Sequence, residues 1–250
     1  EEPTWLLEDA GTYYGTGTTG LMFYENMQSF RASAGEAVGD SVNISVSYPE
    51  VPWMTFRYNC STGHEGTGDQ LFMFTSDLAP VAEIRGTFGV DREEKRVDCS
   101  NKFPEYTCAH YFKEYLEEHD IVCVGGVGDF RLDTLWKQQG EIKPLGKTRS
   151  PELKRIVFET NHISNNLYAE TLLRTLGREM TGNACYDSSY VAIGNVLAEL
   201  GVDTSRGYHL KDGSGLSRQN YMSSDFFCRF LLAMMSSPHF EAFVESLPSP

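Results

Sequence analysis

The fold of this chain is decided by the run Thr160-Asn161-His162-Ile163-Ser164-Asn165-Asn166-Leu167-Tyr168-Ala169-Glu170. It places the Ser164 hydroxyl and the Asn166 carboxamide directly before a segment whose apolar residues recur at helical spacing. A serine in this place is typical of a helix N-cap, which accepts a hydrogen bond from the first turn. The pattern therefore predicts a helix from Asn166 to Leu176, ended by Gly177 as a C-terminal cap.

A second cluster, further along the chain, has the composition of a tight turn. It reads Lys211-Asp212-Gly213-Ser214-Gly215-Leu216-Ser217-Arg218. The two glycines that flank Ser214 allow backbone conformations that other residues avoid, so we expect a turn that exposes backbone N–H groups and hydroxyls. Taken alone, this cluster also fits an ordinary loop between helices, and a Ser-x-Asn tripeptide also occurs by chance.

Composition excludes several classes of function for this chain. Its 250 residues are 40% hydrophobic, which is enough for a core in one large domain or two modest ones. Asp and Glu number 35 against 21 Lys and Arg, for a net charge of −14. This acidity argues against nucleic acid or an anionic membrane surface as a partner, because both attract basic proteins. We also expect no transmembrane segment, since no apolar run approaches the roughly 18 residues that a spanning helix needs.

The residues that bind metals or form disulfides show no organised pattern. The six cysteines lack any Cys-x-x-Cys spacing, and the histidines lack the paired spacing of metal ligands. We therefore predict neither a metal site nor a cofactor. Buried free thiols are the favoured interpretation of the cysteines, while their even number leaves disulfides open if the compartment is oxidising.

The first half of the chain is predicted to be rich in strands. A loop rich in glycine and aromatic residues precedes a strand from Gly20 to Tyr24. Residues 36–98 form a β-rich subdomain, because apolar and polar residues alternate along them with the period of two that is typical of strands. Its strands are expected at 42–46, 54–58, 70–75 and 82–90, with a hairpin-like turn at 63–69.

The chain then changes to helical patterns. Pro104 begins a helix that is predicted to run to about Glu118, and a short buried strand should follow at Ile121–Val124. The glycines of residues 125–128 are interpreted as a turn, since no helix pattern follows them. A crossover at 141–151 leads to a mainly helical part. Its helices are expected at 151–160, at 166–176, from Asp187 as N-cap to 201, at 225–235 after a cap at Ser223 or Ser224, and after Ser237-Pro238.

Three clusters of residues occur in a specific order. The first reads Trp5-x-x-Glu8-Asp9-x-Gly11-x-Tyr13-Tyr14-Gly15-x-Gly17, and the Ser164 and Asp212 clusters follow it. In this order they resemble the class C low-molecular-mass penicillin-binding proteins, the bacterial D-alanyl-D-alanine carboxypeptidase/endopeptidase family. The resemblance covers nearly the whole chain in scattered blocks, and the two later blocks are the most specific.

The resemblance implies an α/β (α+β) fold. Residues 149–250 would be the helical part of a serine transpeptidase/β-lactamase-like, penicillin-binding domain. Residues 1–148 would be the family's inserted α/β and β-rich domains, with residues 36–98 as the nested β-rich subdomain. The sheet that backs the family's active site would come mostly from other sequence, so we expect the helices after residue 150 to leave an apolar face exposed.

The resemblance also implies catalytic roles for two residues. Ser164 and Asn166 would be the Ser-x-Asn pair of the family's active site. Ser164 would take part in proton transfer to the leaving amine. Asn166 would hydrogen-bond the backbone of the substrate and steady the family's general-base lysine, which belongs to the Ser-x-x-Lys motif.

Two further groups of residues would bind substrate. Four residues of the Asp212 cluster would line the cleft: Gly215, Leu216, Ser217 and Arg218. Three residues of the first cluster would hold a diaminopimelate side chain: Trp5, Glu8 and Tyr13. The guanidinium fork of Arg218 suits a carboxylate of the peptide stem. Glu8 suits the diaminopimelate ammonium group, although the family often has Asp at this place, so its reach differs.

The implied partners are peptidoglycan stem peptides that contain diaminopimelate, with β-lactams as ligands of the complete protein, in the periplasm or cell envelope. The chain contains neither the family's Ser-x-x-Lys nucleophile nor its Lys-Thr-Gly strand. The run Lys147-Thr148-Arg149 precedes Ser164 and lacks the glycine. Because the chain also opens with Glu1-Glu2-Pro3, we expect a fragment or processed piece that is inactive alone, exported by a signal peptide outside this chain.

Three hypotheses of function follow from these observations. The first is a serine-type D-Ala-D-Ala carboxypeptidase/endopeptidase that acts on peptidoglycan stems through an acyl-enzyme. The second is a non-catalytic peptidoglycan-binding protein on the same fold. The third, an unrelated interaction protein with β and helical parts, requires the order of the three clusters to be coincidental.

Overall fold

A computed structural model of the chain describes residues 4–128, 144 and 146–248. The chain divides into two compact units. The helical unit consists of Glu1–Leu6 and Gly146–Pro250, and the sheet unit consists of Leu7–Leu145. Of the crossover predicted at 141–151, the structure describes residue 144 and residues 146–151. From residue 146 the chain is irregular up to the first helix of the helical unit. The assignment of residues 1–148 to inserted domains stays a prediction.

Within its described residues, the sheet unit contains two three-stranded sheets. In the first, β1 (Met27–Ser33) lies between β2 (Asn43–Tyr48) and β6 (Lys95–Ser100) and is antiparallel to both. In the second, β5 (Ala79–Gly89) lies between β3 (Thr55–Gly63), to which it is parallel, and β4 (Phe72–Ser76), to which it is antiparallel. The two sheets pack against each other through two apolar clusters, the larger formed by Phe30, Met73, Ile84 and Cys99 with Ala82.

Three predictions in this unit are wrong. Gly20–Tyr24 is not a strand, because Tyr24, Glu25 and Asn26 adopt positive φ in a 3₁₀ turn and the strand begins only at Met27. Residues 63–69 do not form a hairpin, since β5 lies between β3 and β4. Ile121–Val124 is exposed and irregular, with Val122 85% exposed.

The helix predicted to begin at Pro104 is confirmed. Helix α1 spans Pro104–Glu118, with the proline at its first turn, where its missing N–H costs no helical hydrogen bond. Its aromatic residues pack against loop residues of the same unit. Tyr111 stacks on Phe23 with ring centroids 5.4 Å apart, and Tyr106 lies 4.4 Å from Trp53.

The helical unit contains five helices and one short strand pair within the described residues. The helices are α2 (Leu153–His162), α3 (Asn166–Thr181), α4 (Tyr186–Glu199), α5 (Ser224–Met235) and α6 (Phe240–Ser246). Strands β7 (Tyr208–His209) and β8 (Tyr221–Met222) pair antiparallel and close the base of the loop that holds the Asp212 cluster. Leu197, Val202 and Phe226 form the buried core beside this loop.

The predicted helix ends are corrected at several places. Helix α3 continues past Gly177 and ends at Gly182, whose φ of 79° suits a glycine cap. The N-cap of α4 is Cys185, so Asp187 lies in its first turn. Helix α2 begins at Leu153 rather than 151, and the last helix begins after His239 rather than Ser237. The cap of α5 at Ser223 is confirmed, since its hydroxyl accepts a hydrogen bond from the Phe226 N–H at 3.1 Å.

Helix α5 presents apolar side chains to solvent, as expected for this part of the chain. Phe227 is 50% exposed, and Leu232 and Met235 are more than 60% exposed. Exposed apolar residues of this size on neighbouring turns make an interaction surface. None of the helices in the described part of the chain has the length and apolar character that crossing a bilayer requires.

Candidate active site

The Ser164 residue lies in the turn between α2 and α3. Its φ is 53°, which is a left-handed conformation that costs a non-glycine residue about 1 kcal/mol or more. Its side chain is exposed. A strained, exposed polar residue is a common feature of functional sites, because the surrounding structure must hold it in place.

Ser164 is not the N-cap of α3, contrary to the interpretation from sequence alone. Asn165 is the cap, and its side-chain oxygen accepts a hydrogen bond from the Tyr168 N–H at 3.0 Å. Asn166 is then the first residue of the helix and is half-buried. Because Asn165 caps the helix, the Ser164 hydroxyl is not used for capping and stands at the surface one residue before the cap.

The Asp212 side chain is fully buried and organises the second cluster from within. Its Oδ1 accepts hydrogen bonds from the Gly215 N–H at 2.8 Å and from the Asn220 side-chain amide at 2.7 Å. Its Oδ2 accepts from the Ser217 N–H at 2.5 Å and from the Trp5 indole N–H at 2.9 Å. A buried carboxylate is tolerated when donors surround it in this way.

The Glu170 side chain is also fully buried, and it connects helix α3 to the same cluster. Its Oε1 accepts hydrogen bonds from the Gly213 N–H at 2.9 Å and the Ser214 N–H at 2.8 Å. Its Oε2 accepts from the Tyr186 hydroxyl on α4 at 3.1 Å. Burial raises the pKa of Glu170, and the nearby Asp212 charge adds to the rise. Burial also raises the pKa of Tyr186, with Glu170 as the next cause.

These contacts overturn the expectation that the turn exposes its backbone N–H groups. The four N–H groups of Gly213, Ser214, Gly215 and Ser217 all point inward to the two carboxylates. Gly213 is required here, because a Cβ atom would lie 2.6 Å from the Ala169 carbonyl oxygen of α3. The turn therefore lies directly on the helix that begins with Asn166.

The remaining side chains around the turn fix its two ends. The Tyr190 hydroxyl donates to the Lys211 carbonyl oxygen. The Lys211 N–H donates to the Asn220 side-chain oxygen at 2.6 Å. The strands β7 and β8 pair just outside these contacts, with His209 stacked on Tyr221 at 5.2 Å between ring centroids. Together these contacts hold the turn in a single shape.

The predicted cleft residues differ in how they are placed. Gly215 and Arg218 are exposed and Leu216 is half-buried, so all three can meet a ligand. Ser217 is buried, and its hydroxyl bonds the Thr4 hydroxyl at 2.5 Å and accepts from the Gln219 N–H at 3.2 Å. Ser217 therefore fixes the turn and the N-terminal segment, and its part in lining a cleft stays a prediction.

The predicted diaminopimelate-binding residues belong to different units. Trp5 is part of the helical unit, where its indole N–H is bonded to Asp212. Glu8 and Tyr13 belong to the sheet unit, and both are exposed. Tyr13 makes an edge contact with Tyr14 at 5.2 Å between ring centroids. The role of these three residues in substrate binding stays a prediction.

The sequence patterns do not single out Glu170 and Asp212, although both are central to the geometry. Glu170 occupies a position on the apolar stripe of α3, between the buried Leu167 and Leu173. A charged residue on such a stripe is a signal of a buried hydrogen-bonded role. Asp212 precedes Gly-Ser-Gly, and an aspartate before a turn often bonds the turn's own N–H groups.

The grouping of possible metal ligands and the burial of the cysteines both bear on expectations from sequence. Within the described residues, no three His, Cys, Asp or Glu side chains are grouped so that they could hold a metal ion. The six cysteines are free thiols, and only Cys99 is buried, so the prediction that most of them are buried is wrong. Burial raises the pKa of Cys99 to about 12.

Comparison with known proteins identifies the class to which this fold and site belong. Residues 1–249 match the D-Ala-D-Ala carboxypeptidase 3 (S13) family, and the chain belongs to that family. It is similar to a D-alanyl-D-alanine carboxypeptidase of Actinomadura sp. strain R39, with 35% identity over 173 residues, 69% of this chain and 29% of the relative. A penicillin-sensitive carboxypeptidase A of Dictyostelium discoideum is 40% identical over 75 residues, 30% of this chain and 14% of the relative.

The same fold is found in solved structures. Penicillin-binding protein 4 from Haemophilus influenzae superposes with a TM-score of 0.77 at 17% identity, covering 99% of this chain and 53% of that one. Its complex with a β-lactam gives a TM-score of 0.74 at 18% identity, covering 94% of this chain and 52% of that one. The chain thus spans about half the length of these structural relatives. The predicted mixed α/β fold of a low-molecular-mass penicillin-binding protein is confirmed.

Proposed function

We propose that the gene product containing this chain is a serine-type D-Ala-D-Ala carboxypeptidase/endopeptidase that cleaves peptidoglycan stem peptides through an acyl-enzyme. The observation that carries the proposal is the family match over residues 1–249. The geometry supports it, because Ser164 stands exposed and strained beside Asn166, outside the capping role that its position suggested. Acyl transfer needs such a polar group, held in place and open to the substrate.

The reaction is acylation of a serine by the carbonyl carbon of the penultimate D-Ala, followed by hydrolysis. The terminal D-Ala leaves as an amine, which needs a proton, and Ser164 takes part in that transfer. Asn166 hydrogen-bonds the backbone of the substrate and steadies the general-base lysine. The nucleophile and this lysine belong to a Ser-x-x-Lys motif that the 250 residues do not contain. A polypeptide of these residues alone is therefore inactive.

Substrate binding is assigned to the exposed side of the Asp212 turn and to the first cluster. Arg218 binds a carboxylate of the stem, since its guanidinium fork matches carboxylate geometry. Gly215 and Leu216 line the cleft beside it, and Ser217 holds the turn. Trp5, Glu8 and Tyr13 receive the diaminopimelate side chain. Because the proposed substrate is peptidoglycan, we expect the protein to act in the periplasm or cell envelope, with β-lactams as further ligands.

Labelling with a fluorescent penicillin tests the proposal. The gene product that contains this chain should form a covalent adduct at the serine of a Ser-x-x-Lys motif, and excess unlabelled penicillin should prevent it. A polypeptide of the 250 residues serves as the matched control and should remain unlabelled. Absence of any adduct in the whole gene product would sink the proposal.

A non-catalytic peptidoglycan-binding protein on the same fold is the second candidate, because Arg218 is exposed for binding and binding alone needs no nucleophile. It predicts that the gene product binds a diaminopimelate stem peptide without acylation. Under either function, Arg218→Ala should weaken binding of the stem peptide about tenfold or more, because a charge-assisted pair is lost. Isothermal titration with Arg178→Ala, an exposed arginine on α3, as the control measures this.

A further inference from the structure

Two buried carboxylates accept hydrogen bonds from four N–H groups of the Asp212 turn. Asp212 lies within the turn and accepts from Gly215 and Ser217. Glu170 lies on helix α3 and accepts from Gly213 and Ser214. The first carboxylate therefore sets the internal shape of the turn. The second can only set where the turn lies on the helix, because its bonds cross from one element to the other.

We propose that Glu170 is a positioning residue, which fixes the Gly213–Arg218 turn to helix α3 so that the turn and the Ser164-Asn166 pair keep one relative position. The chemistry assigned to Ser164 and the binding assigned to Arg218 lie on different elements, and Glu170 bonds one element to the other. This role rests on the proposed function where it concerns the substrate. The attachment itself is independent of any activity.

The attachment uses an oxygen acceptor in a confined place. Glu170 is one helical turn after Asn166, so its side chain lies on the same face of α3. The backbone of the turn approaches that face closely, since a Cβ atom added at Gly213 would lie 2.6 Å from the Ala169 carbonyl oxygen. The Tyr186 hydroxyl holds the other carboxylate oxygen, so Oε1 is directed at Gly213 and Ser214.

The roles of charge and of the acceptor oxygen can be separated by substitution. Glu170→Gln keeps an oxygen for the two N–H groups, and its amide group can donate to the Tyr186 oxygen. Glu170→Ala removes the acceptor altogether. Glu170→Asp keeps the charge but withdraws the carboxylate by about one C–C bond, roughly 1.5 Å. If Glu170 positions the turn through Oε1, then Gln rescues and both Ala and Asp do not.

Amide hydrogen exchange on the 250-residue chain tests the attachment. In Glu170→Ala and Glu170→Asp, the Gly213 and Ser214 amides should exchange about tenfold faster or more, as expected for lost hydrogen bonds to a buried acceptor. The Gly215 and Ser217 amides, bonded to Asp212, should change by less than about threefold. Glu170→Gln should leave all four within that limit. Glu179→Ala, at an exposed carboxylate of the same helix, is the matched control.

The outcomes that overturn the proposal are defined for each variant. An equal rise in the exchange rates of all four amides would mean that Glu170 only stabilises the unit as a whole. No rise at Gly213 and Ser214 in either Glu170→Ala or Glu170→Asp means that Glu170 does not hold the turn. If Glu170→Ala does not fold, Glu170→Asp tests the same attachment with a milder change.

A second measurement connects the position of the turn to the reaction. In the whole gene product, Glu170→Ala should raise the concentration of fluorescent penicillin needed for half-maximal acylation rate about tenfold, with a smaller effect on the maximal rate. Glu170→Gln should restore both. A drop in the maximal rate alone contradicts a role in positioning the binding turn. If the unsubstituted gene product is not acylated, the proposed function fails, while the exchange experiment still decides the attachment.

Discussion

Asp212 carries more hydrogen bonds than its neighbours in sequence, and its loss should be costly. Asp212→Ala leaves the N–H groups of Gly215 and Ser217, the Asn220 amide and the Trp5 indole without their acceptor. Each buried unpaired donor costs about 1–3 kcal/mol, so we expect a loss of at least about 3 kcal/mol in the free energy of unfolding. Urea denaturation measures it.

The control for that substitution is Asp225→Ala. The Asp225 side chain is 73% exposed and forms an ion pair with Arg229 four residues on. Its removal should cost less than about 1 kcal/mol, because such surface pairs contribute little. Equal costs for the two substitutions would contradict the central role of Asp212.

Glu170 should give the stability of the protein a pH dependence of defined sign. Burial raises its pKa in the folded state above the value of about 4.3 in the unfolded chain. Between these two values the folded state binds more protons, so the contribution of Glu170 is fully present below about pH 4.3 and is lost as pH rises through the raised pKa.

The change that tests this sign is Glu170→Gln, which cannot titrate. From pH 4 to pH 8, the free energy of unfolding of the unsubstituted protein should fall relative to that of the variant, as measured by urea denaturation at each pH. Tyr186 and Asp212 face Glu170, and both remain in the variant. If the free energy of unfolding of the unsubstituted protein rises with pH relative to that of the variant, or if the difference between them stays constant, Glu170 does not have a raised pKa in the folded state.

At the scale of single residues, the sequence indicates Ser164 and Asn166 as candidate site residues, since a polar pair before an apolar-periodic segment is a local pattern. It does not indicate Glu170, because the partners of Glu170 in the turn lie 43 and 44 residues away. It also misplaces the N-cap by one residue, since Ser and Asn are equally good caps and only the backbone of Ser164 decides between them.

Helices α3 and α4 are in close contact at Gly177. A Cβ atom there would lie 2.3 Å from the Ser189 Oγ and 2.9 Å from the Ser189 Cα. Gly177→Ala should therefore lower the free energy of unfolding by about 1–3 kcal/mol, although alanine is the better helix former. Thermal denaturation followed by circular dichroism measures the change.

Gly194→Ala on α4 is the matched control for that substitution. No atom lies within 4 Å of the Cβ position at Gly194, so only helix propensity acts there. We expect a gain of about 0.5–1 kcal/mol in the free energy of unfolding. A gain at both glycines would show that the two helices separate without cost.

The elements themselves were predicted with uneven success, for physical reasons. Helix α1 is found at its exact bounds because Pro104 fixes its start and the helical pattern is long. The sequence pattern predicts a helix end at Gly177 because glycine is common there, whereas in the structure Gly177 allows close packing of α3 against Ser189. The order β3-β5-β4 could not be read from strand patterns, since the pairing of strands depends on contacts distant in sequence.

The whole chain consists of two units with separate cores, and each should respond separately to truncation. The sheet unit has its own core around Phe30 and Ile84. We therefore expect residues 7–145 to fold alone and to unfold cooperatively in urea, followed by circular dichroism. A gradual transition without a baseline at low urea would contradict this.

The helical unit gives the complementary test of the same division. Residues 146–250 lack Trp5 and Thr4, which bond Asp212 and Ser217. This piece should unfold at lower urea than its parent unit in the full chain, because Asp212 loses one of its donors. The sequence could not indicate that residues 4–6 belong with residues 146 onward, since the sheet unit separates them along the chain.

The inward direction of the turn's N–H groups has a consequence for anionic ligands. Glu170 and Asp212 already accept hydrogen bonds from the N–H groups of Gly213, Ser214, Gly215 and Ser217. A ligand that carries a carboxylate or sulfonate to this turn finds none of these four N–H groups free to donate, so its anion needs another donor on this face.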